Sequence, residues 1–340
     1  MPGKISLSDV LGAPISKEAA LQQILSMPDS RQQYHEFPEK MKEEILSFLC
    51  GQKGLEILYD RFFKFVFDYE THPKRIEKLI SALLGEPVMI REFLPPEGSL
   101  LVDKGSFVIM DIIAELSDGS LVDVEMQKLG YRFPVQRSAC YVSDMIMRQY
   151  NRVKNERKNV FDYRDIKDVY LFIIMDESSE VFRRNKTASY IHHKCTFYDS
   201  GIDLPEIEHI TYNSLDIFRD TVQNIDTQRD AWMTFLSRND PESIVKLVGR
   251  YPEFLSYYHD IAEFRKDPRE VLHMFSEALY ILDRNTERLM VDDLREERDT
   301  AVANLEAAKK ERDAAFEFMR KHGYDPEEVL QVDSKRSQLT

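Results

Sequence analysis

Asp111, Glu125 and Gln127 are the residues whose types and spacing could do chemistry. They lie in the stretch MDIIAELSDGSLVDVEMQ, Met110 to Gln127, where two apolar runs each carry an acid. Neighbouring carboxylates repel, and burying them is costly unless something compensates. A divalent cation is the commonest compensation: two carboxylates with a backbone carbonyl and waters make a fitting Mg²⁺ site. Such a metal lowers the pKa of a bound water and stabilises the transition state of phosphodiester cleavage. Gln127 points into the same site; it can orient the water or the phosphate but cannot serve as a base. From spacing alone a second reading stands beside this one, a solvent-exposed sheet face carrying ordinary surface acids.

Strand geometry decides whether the acids meet. Side chains alternate between the faces of a strand. Asp111, Ile113 and Glu115 therefore share one face, and Ile112, Ala114 and Leu116 the other. On the next strand Leu121, Asp123, Glu125 and Gln127 oppose Val122, Val124 and Met126. The purely apolar faces are assigned to the core. A two-residue loop, Asp118-Gly119, would pair Asp111 with Met126 and part the acids. A three-residue loop, Ser117 to Gly119 with Gly119 left-handed, pairs Asp111 with Glu125. Only the second keeps the apolar residues on one side, so burial selects it.

The elements around this hairpin follow from periodicity. HPKRIEKLISALLGEP reads as a helix with Pro73 in its first turn and Gly85 ending it. PEKMKEEILSFLCG is a second, and the lead-in over residues 1–37 is loosely helical. VMIREFL is a short strand. FPVQRSACYVSDMIMRQY is a helix with Val135, Ala139, Val142 and Ile146 along one side and Arg137, Tyr141, Asp144 and Arg148 along the opposite one. DVYLFIIM is apolar throughout, as a strand buried on both faces requires. ASYIHHKCTFYD and IEHITYNSLDIF add strands, with His192 and His193 on opposite faces. Helix, strands, helix, strand indicates a mixed α/β core. Beyond it the sequence turns helical. Residues 286–321 form one long helix whose Leu294, Ala301, Ala308 and Ala315 repeat every seven residues, a seam of poor knobs that leaves two readings, a weakly self-associating coiled coil and a solvated single helix.

Composition excludes several classes. The chain has 340 residues, 43% hydrophobic and 31% charged, with a formal net charge of −14. That balance does not suit a protein that coats nucleic acid; DNA contact must be local or bridged by a metal ion. No apolar run reaches the roughly 20 residues of a membrane span, and the N-terminal stretch lacks the apolar segment of a signal peptide. Cys50, Cys140 and Cys195, an odd set without CxxC spacing, are expected to be reduced and mostly buried, which indicates the cytoplasm.

YDRFFKFVFD, MDIIAEL…VDVEMQ and FPVQRSACYVSDMI, in this order, resemble the Rpn-type recombination-promoting nucleases, also called PD-(D/E)XK nuclease family transposases. The resemblance covers roughly residues 50–218. It implies a restriction-endonuclease-like α/β fold, a mixed sheet flanked by helices, to which this chain adds a helical C-terminal arm. It also implies metal-dependent cleavage of DNA, with Mg²⁺ as the cofactor and Mn²⁺ as the alternative. The family motif falls on Asp111, Glu125 and Gln127, with Asp111 and Glu125 as metal ligands; Gln stands where the wider superfamily usually has Lys. Asp60, Phe63 and Lys64 match a DxxFK element, and Arg137 and Tyr141 match an Arg and a Tyr of the following helix. On the polar side of that helix Arg137 and Arg148 are candidates for DNA-backbone contact. The expected organisation is a lead-in over 1–54, a nuclease-like core over 55–218, a helical region over 219–285, a long helix or coiled coil over 286–322 and a tail over 323–340. Two other readings stay open: a catalytically inactive scaffold that binds partners or oligomerises through its helical C-terminus, and a phosphohydrolase or RNA-cutting enzyme using the same site.

Overall fold

The computed structural model describes residues 5–55, 60–94, 111–130, 133–185, 189–323 and 325. Residues 107–110 of the expected first hairpin strand lie outside them. The chain divides into two units, Met1–Ala278 and Leu279–Thr340.

The first unit is built around a six-stranded mixed sheet. β1 (Ile90–Leu94), β2 (Asp111–Leu116) and β3 (Leu121–Leu129) form an antiparallel meander. β4 (Val169–Glu177) and β6 (Glu208–Ser214) continue the sheet parallel to β3, and β5 (Ile191–His193) closes the far edge antiparallel, giving the order β1-β2-β3-β4-β6-β5. A parallel neighbour cannot be reached by a tight turn. The connection from β3 to β4 is α7 (Val135–Arg157), a 23-residue helix with Pro134 at its N-cap. Its Val142 and Met145 pack with Leu121, Val169, Leu171, Ile173 and Met175 of the sheet.

Helix α7 differs from its sequence reading. Its buried stripe is Ser138, Val142, Met145, Gln149 and Val153, while Val135 and Ala139 are exposed. Arg137, Tyr141, Asp144 and Arg148 flank this stripe, half-buried, instead of lying on the opposite side. Val142 set the side correctly, but Val135 belongs to the first turn, ahead of the sheet contact. The thiols also depart from expectation: all three are free, but only Cys50 is buried, and Cys140 and Cys195 are exposed. Cys140 follows Ala139 on the outer side of α7, and Cys195 lies in the loop after β5.

Helices complete the unit. α5 (Asp60–Val66) buries Phe62, Phe63 and Val66 and leaves Lys64 exposed; Phe62 packs against Phe264 at 5.2 Å. α6 (Pro73–Leu84) starts at Pro73 and ends at Gly85 in the left-handed conformation. The lead-in helices α1 (Leu7–Leu11), α2 (Lys17–Leu25), α3 (Pro28–Glu36) and α4 (Glu39–Leu49) fold into this unit. α1 packs on α11 (Pro241–Arg250) and α12 (Phe254–Phe264), and Gln33 Nε2 donates to Ser276 Oγ at 2.6 Å. α8 (Glu180–Arg184) follows β4, and α9 (Leu215–Thr221) and α10 (Gln228–Ser237) follow β6; α9 packs on β4 and α10 on α9 and α6. No helix among the described residues is long and apolar enough to cross a membrane.

α13 (Pro268–Lys321) begins earlier than the sequence indicated and runs through into the second unit. Val271, Leu272, Met274 and Phe275 in its first turns are buried in the first unit.

An ion-paired acid ties the C-terminal end of β3 to its neighbours. Asp176 on β4 accepts from Lys128 Nζ of β3 at 2.6 Å and from Arg219 Nη1 of α9 at 2.6 Å. Burial alone would raise the Asp176 pKa, but the two cations outweigh it and hold the pKa below the ordinary 3.8. A carboxylate with a depressed folded-state pKa adds stability above its unfolded value and loses it as pH falls through the folded one. Asp176→Asn is therefore expected to lower the unfolding free energy measured in urea at neutral pH by about 3 kcal/mol or more, as for a broken buried pair, and to flatten the loss of wild-type stability below pH 3.8. A chain ending at Asp283 should melt as cooperatively as the full chain. One ending at Asp267 removes four buried apolar side chains from the first unit, at roughly 1.5 kcal/mol or more each, and should not fold; circular dichroism distinguishes the two.

Candidate functional site

The hairpin has the expected register. Asp111 pairs with Glu125, Ile113 with Asp123 and Glu115 with Leu121. Leu116 N donates to Ser120 O at 2.9 Å, so the loop is Ser117-Asp118-Gly119, and Gly119 stands at φ +90°. A residue with a Cβ is strained there, which explains why a glycine closes this turn.

The acidic face, however, is not open to solvent. Glu115, Asp123, Glu125 and Gln127 are 1%, 0%, 0% and 4% exposed, so the surface-acid reading is overturned. Helix α7 covers this face, and the sheet is buried on both sides. Buried carboxylates need cations, and α7 supplies two. Arg137 Nη2 donates to Glu125 Oε1 at 3.0 Å, and Arg152 pairs with Glu115 Oε2. Arg91 on β1 adds a second partner for Glu115, Nη1 to Oε1 at 3.0 Å.

Glu125 is the centre of the arrangement. Its Oε1 accepts from both Arg137 and Gln127 Nε2, each at 3.0 Å. Its Oε2 is buried and makes no hydrogen bond among the described residues. Two donors on one oxygen fix the carboxylate plane and leave the other oxygen free. Arg137 is itself held: Tyr141 Oη accepts from its Nη2 at 2.8 Å and Nε at 3.2 Å, and the guanidinium lies 4.8 Å over the Phe133 ring and 5.3 Å over that of Tyr141. Tyr141 thus acts on Glu125 through Arg137.

The remaining predicted residues are placed as follows. Asp111 is the first residue of β2, opposite Glu125, and Asp60 opens α5; the side chains of both lie outside the described residues. Lys64 is on the exposed side of α5. Arg148 lies about three turns beyond Arg137 and donates through Nε to Asp144 Oδ2 at 2.7 Å. His192 and His193 are on opposite faces of β5, with His193 Nδ1 3.0 Å from Thr211 Oγ1. Lys128, adjacent to Gln127, does not replace the lysine of the wider superfamily, because it faces the other side of β3 and is paired with Asp176. The sequence reading missed Arg152 and Arg91. An acid at Glu115 on the helix-covered face was the available signal, since such an acid demands a cation.

A mixed sheet flanked by helices, with a carboxylate hairpin at its centre and a crossover helix over the acids, defines a nuclease-fold α/β protein of the PD-(D/E)XK kind. The chain belongs to the PD-(D/E)XK nuclease family transposases, whose domain it matches over residues 57–288. Membership implies a nuclease-related function with DNA as partner, and proteins of this superfamily typically use divalent metals. Neither the curated proteins nor the solved structures include a match to the chain.

The residues fit a metal. The free, fully buried Oε2 of Glu125 is a hard oxygen donor lacking a partner among the described residues, and the register brings Asp111 directly opposite. Without metal the structure depends on Arg137. Arg137→Met is expected to lower unfolding free energy by about 3–5 kcal/mol, because it leaves a buried charge uncompensated. The double variant Arg137→Met/Glu125→Met should recover most of that loss in urea denaturation. A double-variant loss equal to the sum of the two single-variant losses would show that the two side chains are not coupled.

Proposed function

We propose that the chain is a metal-dependent DNA endonuclease of the recombination-promoting kind. The observation that carries this reading is the one oxygen of Glu125 that has no hydrogen bond among the described residues, on a buried carboxylate oriented by two donors, across the hairpin from Asp111. Asp111 and Glu125 would hold Mg²⁺, with Mn²⁺ as the alternative. When bound, the ion would polarise the phosphate and acidify a water. Gln127 donates its amide to Glu125, which leaves its carbonyl oxygen to accept a hydrogen bond from that water. Arg137, seated between Glu125 and Tyr141, is the nearer of the two candidate phosphate contacts, and Arg148 the more distant. Asp60 and Lys64 are carried as supporting residues on the motif alone. The free thiols suit a reducing compartment, and we assign the protein to the cytoplasm on that basis. The C-terminal part of α13, with Val302, Leu305 and Phe318 exposed, is read as a weak self-association arm; sedimentation should then show a concentration-dependent dimer that a chain ending at Asp283 lacks.

The deciding experiment incubates purified protein with plasmid DNA and Mg²⁺, Mn²⁺ or Ca²⁺, beside an RNA substrate. Cleavage of DNA should require the ion. Asp111→Ala should eliminate it, and Glu125→Ala should be nearly as severe because one carboxylate would hold the ion alone. Gln127→Ala should slow the reaction about a hundred- to a thousandfold, the loss typical of one well-placed polar group. Gln127→Lys should retain or improve activity at saturating metal. In parallel, millimolar Mg²⁺ should raise the melting temperature of wild type by mass action, and Asp111→Asn should abolish that rise. Undiminished cleavage by Asp111→Ala sinks the reading. An unchanged wild-type melting curve together with no cleavage would leave a nuclease-fold scaffold.

A further inference from the structure

One strongly charged surface is not used by the proposed reaction. The last turns of α7 and the segment leading to β4, residues 150–167, carry six cations against three acids, in a chain of net charge −14. Arg152 is engaged with Glu115, and Arg157 with Asp165 at 2.7 Å. Lys154, Lys158, Arg164 and Lys167 are exposed and form no ion pair among the described residues. Lys154 donates to the Tyr150 hydroxyl at 2.7 Å and lies 4.9 Å over that ring.

Aromatic side chains are interleaved with these cations. Phe161 sets its edge against Tyr150 at 5.5 Å and Tyr163 at 5.2 Å, and the Tyr150 and Tyr163 rings lie within 17° of parallel. This packing holds Tyr163 from one side while leaving it 72% exposed. The turn between helix and aromatic cluster is strained. Lys158 adopts φ +46°, the only positive φ of a non-glycine residue among the described residues, where glycine would be the low-cost choice.

Unpaired cations beside a braced, exposed ring are the elements that bind single-stranded nucleic acid: phosphates track the charges and a base stacks on the aromatic face. A duplex keeps its bases stacked inside and cannot use the ring. We propose that this surface is a second nucleic-acid contact for a single-stranded segment, with backbone phosphates on Lys154, Lys158, Arg164 and Lys167 and a base stacked on Tyr163. The proposal takes from the nuclease reading only that nucleic acid is the partner. About 20 residues of helix separate Arg137 from Arg157, or roughly 30 Å, so the surface is distinct from the Glu125 centre and the two can be tested apart.

The test measures fluorescence anisotropy of a labelled oligothymidine and of a labelled duplex with the full chain in EDTA, where no metal-dependent cleavage occurs. Wild type should bind the single strand. Tyr163→Ala should weaken that binding about tenfold, within the roughly 1–3 kcal/mol of one stacked base, and leave duplex binding unchanged; Tyr163→Phe should restore it. The charge reversal Lys154→Glu/Lys158→Glu/Arg164→Glu should reduce the slope of log affinity against log salt by about two, at ~0.7 per phosphate. Metal-dependent plasmid cleavage is assayed separately on the same variants, so that a dead nuclease centre and an absent second contact give different results. Melting curves equal to wild type verify that the exposed substitutions leave the fold intact. The proposal is overturned if wild type does not bind the single strand, or if Tyr163→Ala binds it as wild type does. It is also overturned if the charge reversal abolishes binding to phosphatidylserine vesicles and leaves oligothymidine binding untouched, which would make the surface a lipid contact.

Discussion

The contact between Arg137 and Glu125 is the constraint around which the central sheet is arranged. A carboxylate with no solvent exposure is tolerable only beside a cation or a metal. Glu125 sits on the strand face covered by α7, and Arg137 in the first turns of α7 reaches it at 3.0 Å. The guanidinium cannot wander, because Tyr141 and Phe133 hold it from the side and above. Arg152 makes the equivalent contact with Glu115 farther along the helix. The crossover helix is thereby fixed to the hairpin at two points by charge, and the apolar stripe between them, Val142 and Met145, packs on β4. Dispersion and area burial would allow the helix to slide along an apolar sheet; two buried ion pairs define its register.

The topology explains why a helix terminus comes to the acids at all. β3 and β4 run parallel, so the chain must return to the start of the sheet before β4 can begin. That return is α7. Its first turn therefore lies near the end of β3, where Glu125 and Gln127 are, and its last turn lies near the hairpin loop, where Arg152 Nη2 approaches Gly119 O at 3.5 Å. The same geometry separates the site from the basic, aromatic surface at the other end of the helix. One connection thus provides a clamp for the buried acids and a platform of opposite charge.

Local period made part of this legible in the sequence and tertiary burial hid the rest. The pairing of Asp111 with Glu125 followed from a period of two and one glycine turn, because a slip of one residue would have moved Ile112 and Val124 off the core face. β4 followed from an apolar run without polar interruption. The burial of the acid face could not be read from β2 and β3, since it depends on which helix covers it. The side of α7 that faces the sheet was also ambiguous: Val135 fits the apolar period but precedes the contact, while Ser138 and Gln149 are polar yet buried. Gln149 accepts from Lys167 N at 2.7 Å and donates to Asp168 O at 3.3 Å, so its burial is satisfied by backbone groups that no side-chain pattern announces. The packing of α1 on α11 and α12 joins residues more than two hundred positions apart, beyond the reach of any local signal.

The glutamine at position 127 follows from the same electrostatics. Glu125 already has one full positive charge against Oε1 from Arg137. A lysine at 127 would set a second cation on the same carboxylate. On the nuclease reading a divalent ion must also approach that group, and each fixed positive charge within about 4–6 Å opposes it. Gln127 supplies the second donor to Oε1 at 3.0 Å without adding charge. It keeps the carboxylate plane fixed, directs the free Oε2 away from both donors and preserves the negative potential that a cation requires. Arg137 and Gln127 therefore divide two tasks between them: the arginine neutralises Glu125 while no ion is bound, and the amide orients it.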